Sequence, residues 1–252
     1  MSSTPSAILS RHTIVNTAAI AVHLVIAIAL MVVAANRASI TLPVALSLPS
    51  GGPGGPGGPG VFAVVDLAAA AAVVVLVSVV GRVAARVLES RGAGLSSVRA
   101  VRYLELSQVA GITLFVVALL NGISEAGALV VIYAVGSASV GVFWVQGRGP
   151  AEMRAAAWPY SLAAALAIVP WGVVALYQVI GIVAGAPAAP IVRVLTIVIL
   201  LLAAAMWFVE RRWQLSILTD ARTDALHTVV TAANGLALLV LTVGLARPSA
   251  LF

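Results

Sequence analysis

The sequence predicts an all-α membrane protein, one bundle of seven transmembrane helices with its N-terminus in the cytoplasm. Three observations carry this. Of 252 residues, 62% are hydrophobic and 9% charged, where soluble domains carry charge on roughly a quarter of their residues; mean hydropathy is +1.14. The apolar residues gather into seven stretches, each close to the roughly 20 residues that cross a bilayer as a helix. The 14 basic residues, all arginine, fall very unevenly between the two sets of loops.

The first span is expected over 13–35. Its apolar core is too long for a signal peptide, and it lacks that signal's charged start, so it reads as a retained helix. The others follow at 61–84, 97–120, 126–146, 158–184, 191–213 and 225–245. Short alternating strands, the mark of a membrane barrel, are not seen. Between the first two spans, Gly51 to Gly60 is a Gly-Gly-Pro repeat. Proline lacks a donor and glycine resists ordering, so 50–60 reads as a flexible extramembrane loop without helix or strand. Three repeats are too few for a collagen helix. A single domain covering 1–252 accounts for the chain.

Arginine sets the orientation. One side of such a bundle carries Arg11, Arg82, Arg86, Arg91, Arg99, Arg102, Arg148, Arg154, Arg211, Arg212 and Arg222; the other carries Arg37, Arg193 and Arg247. Basic loops stay in the cytoplasm, which places the N-terminus inside and the C-terminus outside a plasma (inner) membrane. The net charge of +6 therefore orients the protein and does not point to nucleic acid. With no cysteine, disulfides, thiol nucleophiles and thiolate metal sites are excluded. Three histidines and eight carboxylates, widely scattered, offer no metal centre. No phosphate loop or nucleophile elbow appears, and the chain is not read as an enzyme.

Ionisable groups at membrane depth are costly and are functional candidates by default. At 1.5 Å per residue, His23, Glu105 and Asn234 all fall roughly 12–15 Å below the cytoplasmic boundary, on the first, third and seventh spans. Glu105 has two readings: an ion pair with Arg102 three residues earlier, or a buried counter-ion or proton acceptor. His23 is either a satisfied core histidine or part of a site. Asn234, beside Gly235, suits an interhelical hydrogen bond with close packing. Asp66 is expected at the interface and His227 in solvent. Glu89, Glu125, Glu152, Glu210, Asp220 and Asp224 are assigned to loops or helix ends, with no chemistry. Pro170-Trp171 marks a mid-membrane kink beside an indole able to line a ligand cavity.

These residues resemble the heliorhodopsins, seven-helix retinal proteins with a cytoplasmic N-terminus. Arg102-Tyr103-Leu104-Glu105-Leu106-Ser107 is similar to the family's Arg-Trp-x-Glu-Tyr-Ser, and Gly122-Ile123-Ser124-Glu125-Ala126-Gly127-Ala128-Leu129 continues the match. Ala167-Ile168-Val169-Pro170-Trp171 resembles Gly-Ile-Val-Pro-Trp; Asn16, Val22-His23-Leu24 and Gln214 agree with the first and sixth helices. By this resemblance Glu105 holds the place of the Schiff-base counter-ion, and His23 that of a histidine in a cytoplasmic-side polar network. Ser107 and Trp171, from the two motifs, are further pocket candidates. A light-sensing or signalling role, not ion pumping, is implied, as is a homodimer; Gly136, Ala138 and Gly141 would permit close packing.

One departure matters. Where the family's seventh helix reads Val-Ala-Lys-Ser, with the lysine bearing retinal, this chain reads Ala232-Ala233-Asn234-Gly235, and it contains no lysine. An amide nitrogen is delocalised and an arginine is effectively always protonated, so neither condenses with an aldehyde. The surroundings differ too. Val109, Ala110 and Gly111 replace small polar residues, Ala203 and Ala204 replace aromatics, and Leu239 replaces a tryptophan. The expectation is a heliorhodopsin-like protein without covalent cofactor, working as a light-independent sensor or as a membrane protein that binds an unknown partner. Two alternatives stand: noncovalent retinal near Glu105, or a small transporter or membrane enzyme using Glu105 and His23, although the internal repeats and broken helices common in transporters are not found.

Overall fold

The computed structural model describes residues 5–36, 39–47 and 59–246. The elements are α1 (Pro5–Ala35), β1 (Thr41–Ser47), β2 (Pro59–Asp66), α2 (Leu67–Ser90), α3 (Leu95–Leu120), α4 (Ala126–Arg148), α5 (Ala151–Ala155), α6 (Ala157–Val183), α7 (Pro190–Gln214) and α8 (Asp220–Leu245). All the helices but the five-residue α5 are long and apolar enough to cross a membrane, making seven spans among the described residues. Arg37 and Arg247 lie outside them.

Local chemistry explains the helix ends. Pro190 opens α7, where its missing N–H costs nothing. The Thr219 hydroxyl caps α8 by accepting from the Arg222 amide. Gly122 and Gly185 follow α3 and α6 at φ of 87° and 72°, a conformation that ends helices and favours glycine. The amides just beyond them close back onto Ala118 and Gly181 at 3.0 and 2.8 Å.

The segment between the first two spans corrects the sequence reading. β1 pairs antiparallel with β2, Thr41 opposite Asp66 and Ser47 opposite Pro59, with a bulge between Val44 and Ala45. Hydropathy assigns 61–66 to the second span. Yet Val61, Phe62, Val64 and Val65 are β-branched or aromatic and have a partner strand beside them, so they extend. Asp66 then ends the strand and caps the helix, its Oδ1 accepting from the Ala69 amide at 2.8 Å. The second span thus begins at Leu67 and not at residue 61. Pro59 and Gly60 belong to β2, contrary to the expectation of no strand in 50–60; Pro59 takes the strand's first position, where no ladder donor is required. The rest of that stretch, 50–58, lies outside the described residues. The hairpin is fastened to the bundle by Ala45 N–H to Ser124 C=O at 2.7 Å and Leu67 N–H to Ile40 C=O at 3.0 Å.

In the bundle α2 packs against α1, α3 and α8, α3 against α2 and α4, α4 against α6, and α7 against α8. Burial follows: 61% of the α3 span is buried against 17% of α7, so α3 is the interior post and α7 faces lipid. The apolar core joins Leu30, Leu67, Val75, Val117, Leu129 and Leu238 across five helices. Small residues set close approaches. Gly136 lies against Leu114 of α3, so it serves the bundle interior, whereas Ala138 is exposed and Gly141 borders open space. At Gly235 an added Cβ would stand 3.1 Å from Val75 and 3.7 Å from Ile26, so α8 approaches α1 and α2 through a missing side chain. Gly235→Leu should destabilise the bundle by about 1–3 kcal/mol through overpacking, seen as a lower thermal unfolding midpoint in detergent.

Candidate functional site

The α8 face that turns inward carries Thr223, His227, Thr231 and Asn234, all buried. Steps of three and four residues stack them on one side of the helix. Asn234 reaches α3, its Nδ2 donating to Thr113 Oγ1 at 3.0 Å. One turn down, Thr231 Oγ1 lies 3.3 Å from His23 Nε2 and accepts from Arg82 Nη2 at 3.4 Å. Arg82 also donates from Nη1 to Thr228 Oγ1 at 2.6 Å. His23 is fully buried; its Nδ1 lies 2.7 Å from the Ala19 carbonyl, which can only accept, so this nitrogen carries the proton. A polar seam thus joins α1, α2 and α8.

Asn234 borders a cavity of about 90 Å³ bounded by α3, α4, α6, α7 and α8. Val109, Phe143, Trp171 and Trp207 make apolar walls, while Tyr103, Glu210, His227, Thr231 and Asn234 line the polar side. The cavity keeps an aromatic cluster: Phe143 stands edge-on to Trp207 at 5.5 Å, and Tyr160 lies 5.7 Å from Phe143. Val109, Ala110 and Ala203 do line it. Gly111 instead faces Tyr133 and Ser137 of α4, and Ala204 is exposed.

A second, polar cavity of about 380 Å³ opens where the α2–α3 and α7–α8 connections meet, lined by Arg99, Arg102, Asp220 and Asp224 among others. Tyr103, Leu106, Glu210 and His227 border both cavities. At this partition the Tyr103 hydroxyl donates to Glu210 Oε1 at 2.6 Å, Gln214 Nε2 reaches the same oxygen at 3.5 Å, and His227 Nε2 lies 3.9 Å from Glu210 Oε2. Both His227 and Glu210 are buried, which corrects the expectations of a solvated His227 and a Glu210 without role. Each sits within two turns of a helix end, but Glu210 is covered by its bond to Tyr103 of α3 and His227 faces Glu210.

Glu105 is 3% exposed and ion-paired with Arg102, as i, i+3 spacing allows. Arg102 Nε also lies 2.9 Å from Asp224 Oδ1, giving Asp224 a partner that a loop assignment did not foresee. Glu105 turns toward α2: a Cβ on Gly81 would fall within its side chain. It does not line the apolar cavity, and neither does His23 or Ser107. Ser107 faces α4, its carbonyl accepting from Ser137 Oγ at 3.1 Å. Of the five site candidates, Asn234 and Trp171 therefore meet at one cavity, His23 and Glu105 lie behind it, and Ser107 lies apart.

The heliorhodopsin family pattern matches residues 13–216, most of the chain. The protein belongs to the heliorhodopsin family. No curated protein matches it. The match agrees with the seven-span bundle and makes this a multi-pass membrane protein; it ends ahead of α8, so the place of Asn234 rests on the bundle geometry. In this heliorhodopsin the residues that sequence reasoning passed over are Tyr103, Glu210, His227, Thr231 and Arg82. His227 carried a usable signal, standing seven residues before Asn234 and so on the same helix face.

Among the described residues no cluster of His, Cys, Asp or Glu suits a metal. Arg102 and Glu105 form the buried pair that α3 depends on. Removing one partner leaves the other charge uncompensated, so Arg102→Gln should destabilise by about 3–5 kcal/mol. Thermal unfolding of the purified variant against the parent checks this.

Proposed function

We propose that this heliorhodopsin works without a covalently held retinal, as a light-independent sensor or partner-binding protein of the plasma (inner) membrane. The family is one of light-sensing membrane proteins, and the reading departs from it on one observation. Asn234, whose surrounding residues resemble the family's lysine motif, faces the bundle cavity with its amide spent on Thr113. A Schiff base requires a primary side-chain amine, and the chain has no lysine; an amide or guanidinium does not replace one. The residues present therefore do not fit a covalently attached retinal.

The cavity supports the same reading. At about 90 Å³ it is smaller than the roughly 150 Å³ engineered cavity that admits benzene, so a twenty-carbon polyene would have to displace its walls. Glu105 is committed to Arg102 and packed on Gly81, which argues against noncovalent retinal beside it. The separate settings of Glu105 and His23 weigh likewise against a transport or enzyme site that uses both. Arginine-rich connections at the end shared by the α2–α3 and α7–α8 loops favour a cytoplasmic N-terminus.

The test is chemical. Purified protein incubated with all-trans-retinal and then borohydride should show no retinyl mass on the polypeptide and no visible band that follows the protein. A retinyl adduct would overturn the reading. Asn234→Lys under the same treatment separates a lost anchor from a lost cavity: a visible pigment that shifts on Glu105→Gln shows that the walls still yield to retinal.

A further inference from the structure

The partition between the two cavities holds a buried imidazole nitrogen, His227 Nε2, that no described protein group hydrogen-bonds. Glu210 spends Oε1 on Tyr103 and Gln214, while its Oε2 faces His227 Nε2 across 3.9 Å. That is too long for a hydrogen bond. The His227 side chain is 7% exposed, and Nε2 has no hydrogen-bond partner among the described residues. Buried polar atoms of this kind normally have one. One oxygen atom placed about 2.8 Å from each would bridge the gap, at ordinary hydrogen-bond lengths.

Both residues border the apolar cavity on one side and the polar one on the other. A group that fills the gap thus has carbon-lined space behind it and an access route from the membrane surface. We propose that the cavity takes a small apolar alcohol, its hydroxyl seated between His227 and Glu210 and its hydrocarbon against Phe143, Trp171 and Trp207. This rests on the reading of a cavity free of covalent chromophore.

The functional group follows from donors and acceptors. Glu210 Oε2 accepts, and the histidine nitrogen exchanges roles with its tautomer. A hydroxyl both donates and accepts, so it satisfies the two residues together. An aldehyde oxygen only accepts and leaves Glu210 Oε2 unfilled. A carboxylate brings a second acid against Glu210. A site that pairs with a hydroxyl rejects the analogue lacking it, because its own buried groups are then left unpaired. At about 90 Å³, below the roughly 150 Å³ that admits benzene, the cavity limits the hydrocarbon to a short chain of about four carbons.

The experiment uses one four-carbon skeleton in three oxidation states: 1-butanol, butanal and butyric acid. Each is titrated calorimetrically into the full chain in lipid nanodiscs, with empty nanodiscs subtracting partition into lipid. 1-Butanol should bind saturably and at least tenfold more tightly than either analogue. His227→Leu should abolish that preference while the unfolding midpoint stays near the parent's. Should His227→Leu fail to fold, Ala203→Phe fills the cavity from the α7 wall and should abolish 1-butanol binding. Equal affinity for the three compounds, a preference that survives His227→Leu, or 1-butanol binding unaffected by Ala203→Phe overturns the proposal. So does the absence of binding by all three, which assigns the gap to water alone. None of these outcomes bears on the borohydride test of covalent attachment, so the two readings fail separately.

Discussion

A polar group inside a bilayer finds no water, so it has to be satisfied by a neighbouring helix, and the interior of this bundle is organised around that requirement. Arg102 carries the largest share. Standing on the most buried helix, it pairs with Glu105 on its own α3 and with Asp224 on α8, so one guanidinium ties the post of the bundle to its last span. Gly81 makes the arrangement possible, because only a residue without a side chain lets the Glu105 carboxylate lie against α2. Arg82, the next residue, extends the same logic through Thr228 and Thr231. Two cations and two acids are thus distributed over α2, α3 and α8, with His23 bringing in α1.

This distribution has a chemical consequence for the cavity. The acid that resembles the family's counter-ion is held behind α3, away from the cavity wall, and the place that resembles the lysine's holds a neutral amide. What borders the cavity instead is the Tyr103, Glu210 and His227 partition, an aromatic cluster and the Asn234–Thr113 hydrogen bond. A rhodopsin centre joins a cation on its seventh helix to an acid on its third. Here the cations are arginines on α2 and α3, and α8 supplies hydroxyls and an aspartate.

Parts of this were legible in the residues. Arg102 and Glu105 stand three apart, and that spacing offered their contact as one of two readings of Glu105, the one that occurs. Asn234 at helical depth beside Gly235 foretold an interhelical hydrogen bond and a close approach, and both occur. The β-hairpin was hidden because hydropathy does not separate a β-branched apolar strand from the start of a span; a partner strand decides between them. His227 and Glu210 were hidden for a different reason. Position near a helix end suggests solvent, but burial there depends on which neighbouring helix covers the end. The side to which Glu105 turns was equally illegible, since it is set by Gly81 on another helix, 24 residues away.

By itself the sequence determined the class of molecule and its chemical inventory. Length, hydropathy and the absence of lysine and cysteine need no neighbours to be true, and membrane insertion and the absence of a side-chain amine follow from them directly. Tertiary structure alone decided which polar groups share a space: that Asn234 meets Thr113, that Glu105 lies behind the cavity, and that His227 and Glu210 face each other across 3.9 Å. The reason is physical. Composition is a property of the chain, whereas burial and hydrogen-bond partnership are properties of pairs of helices, settled by where small residues let them approach.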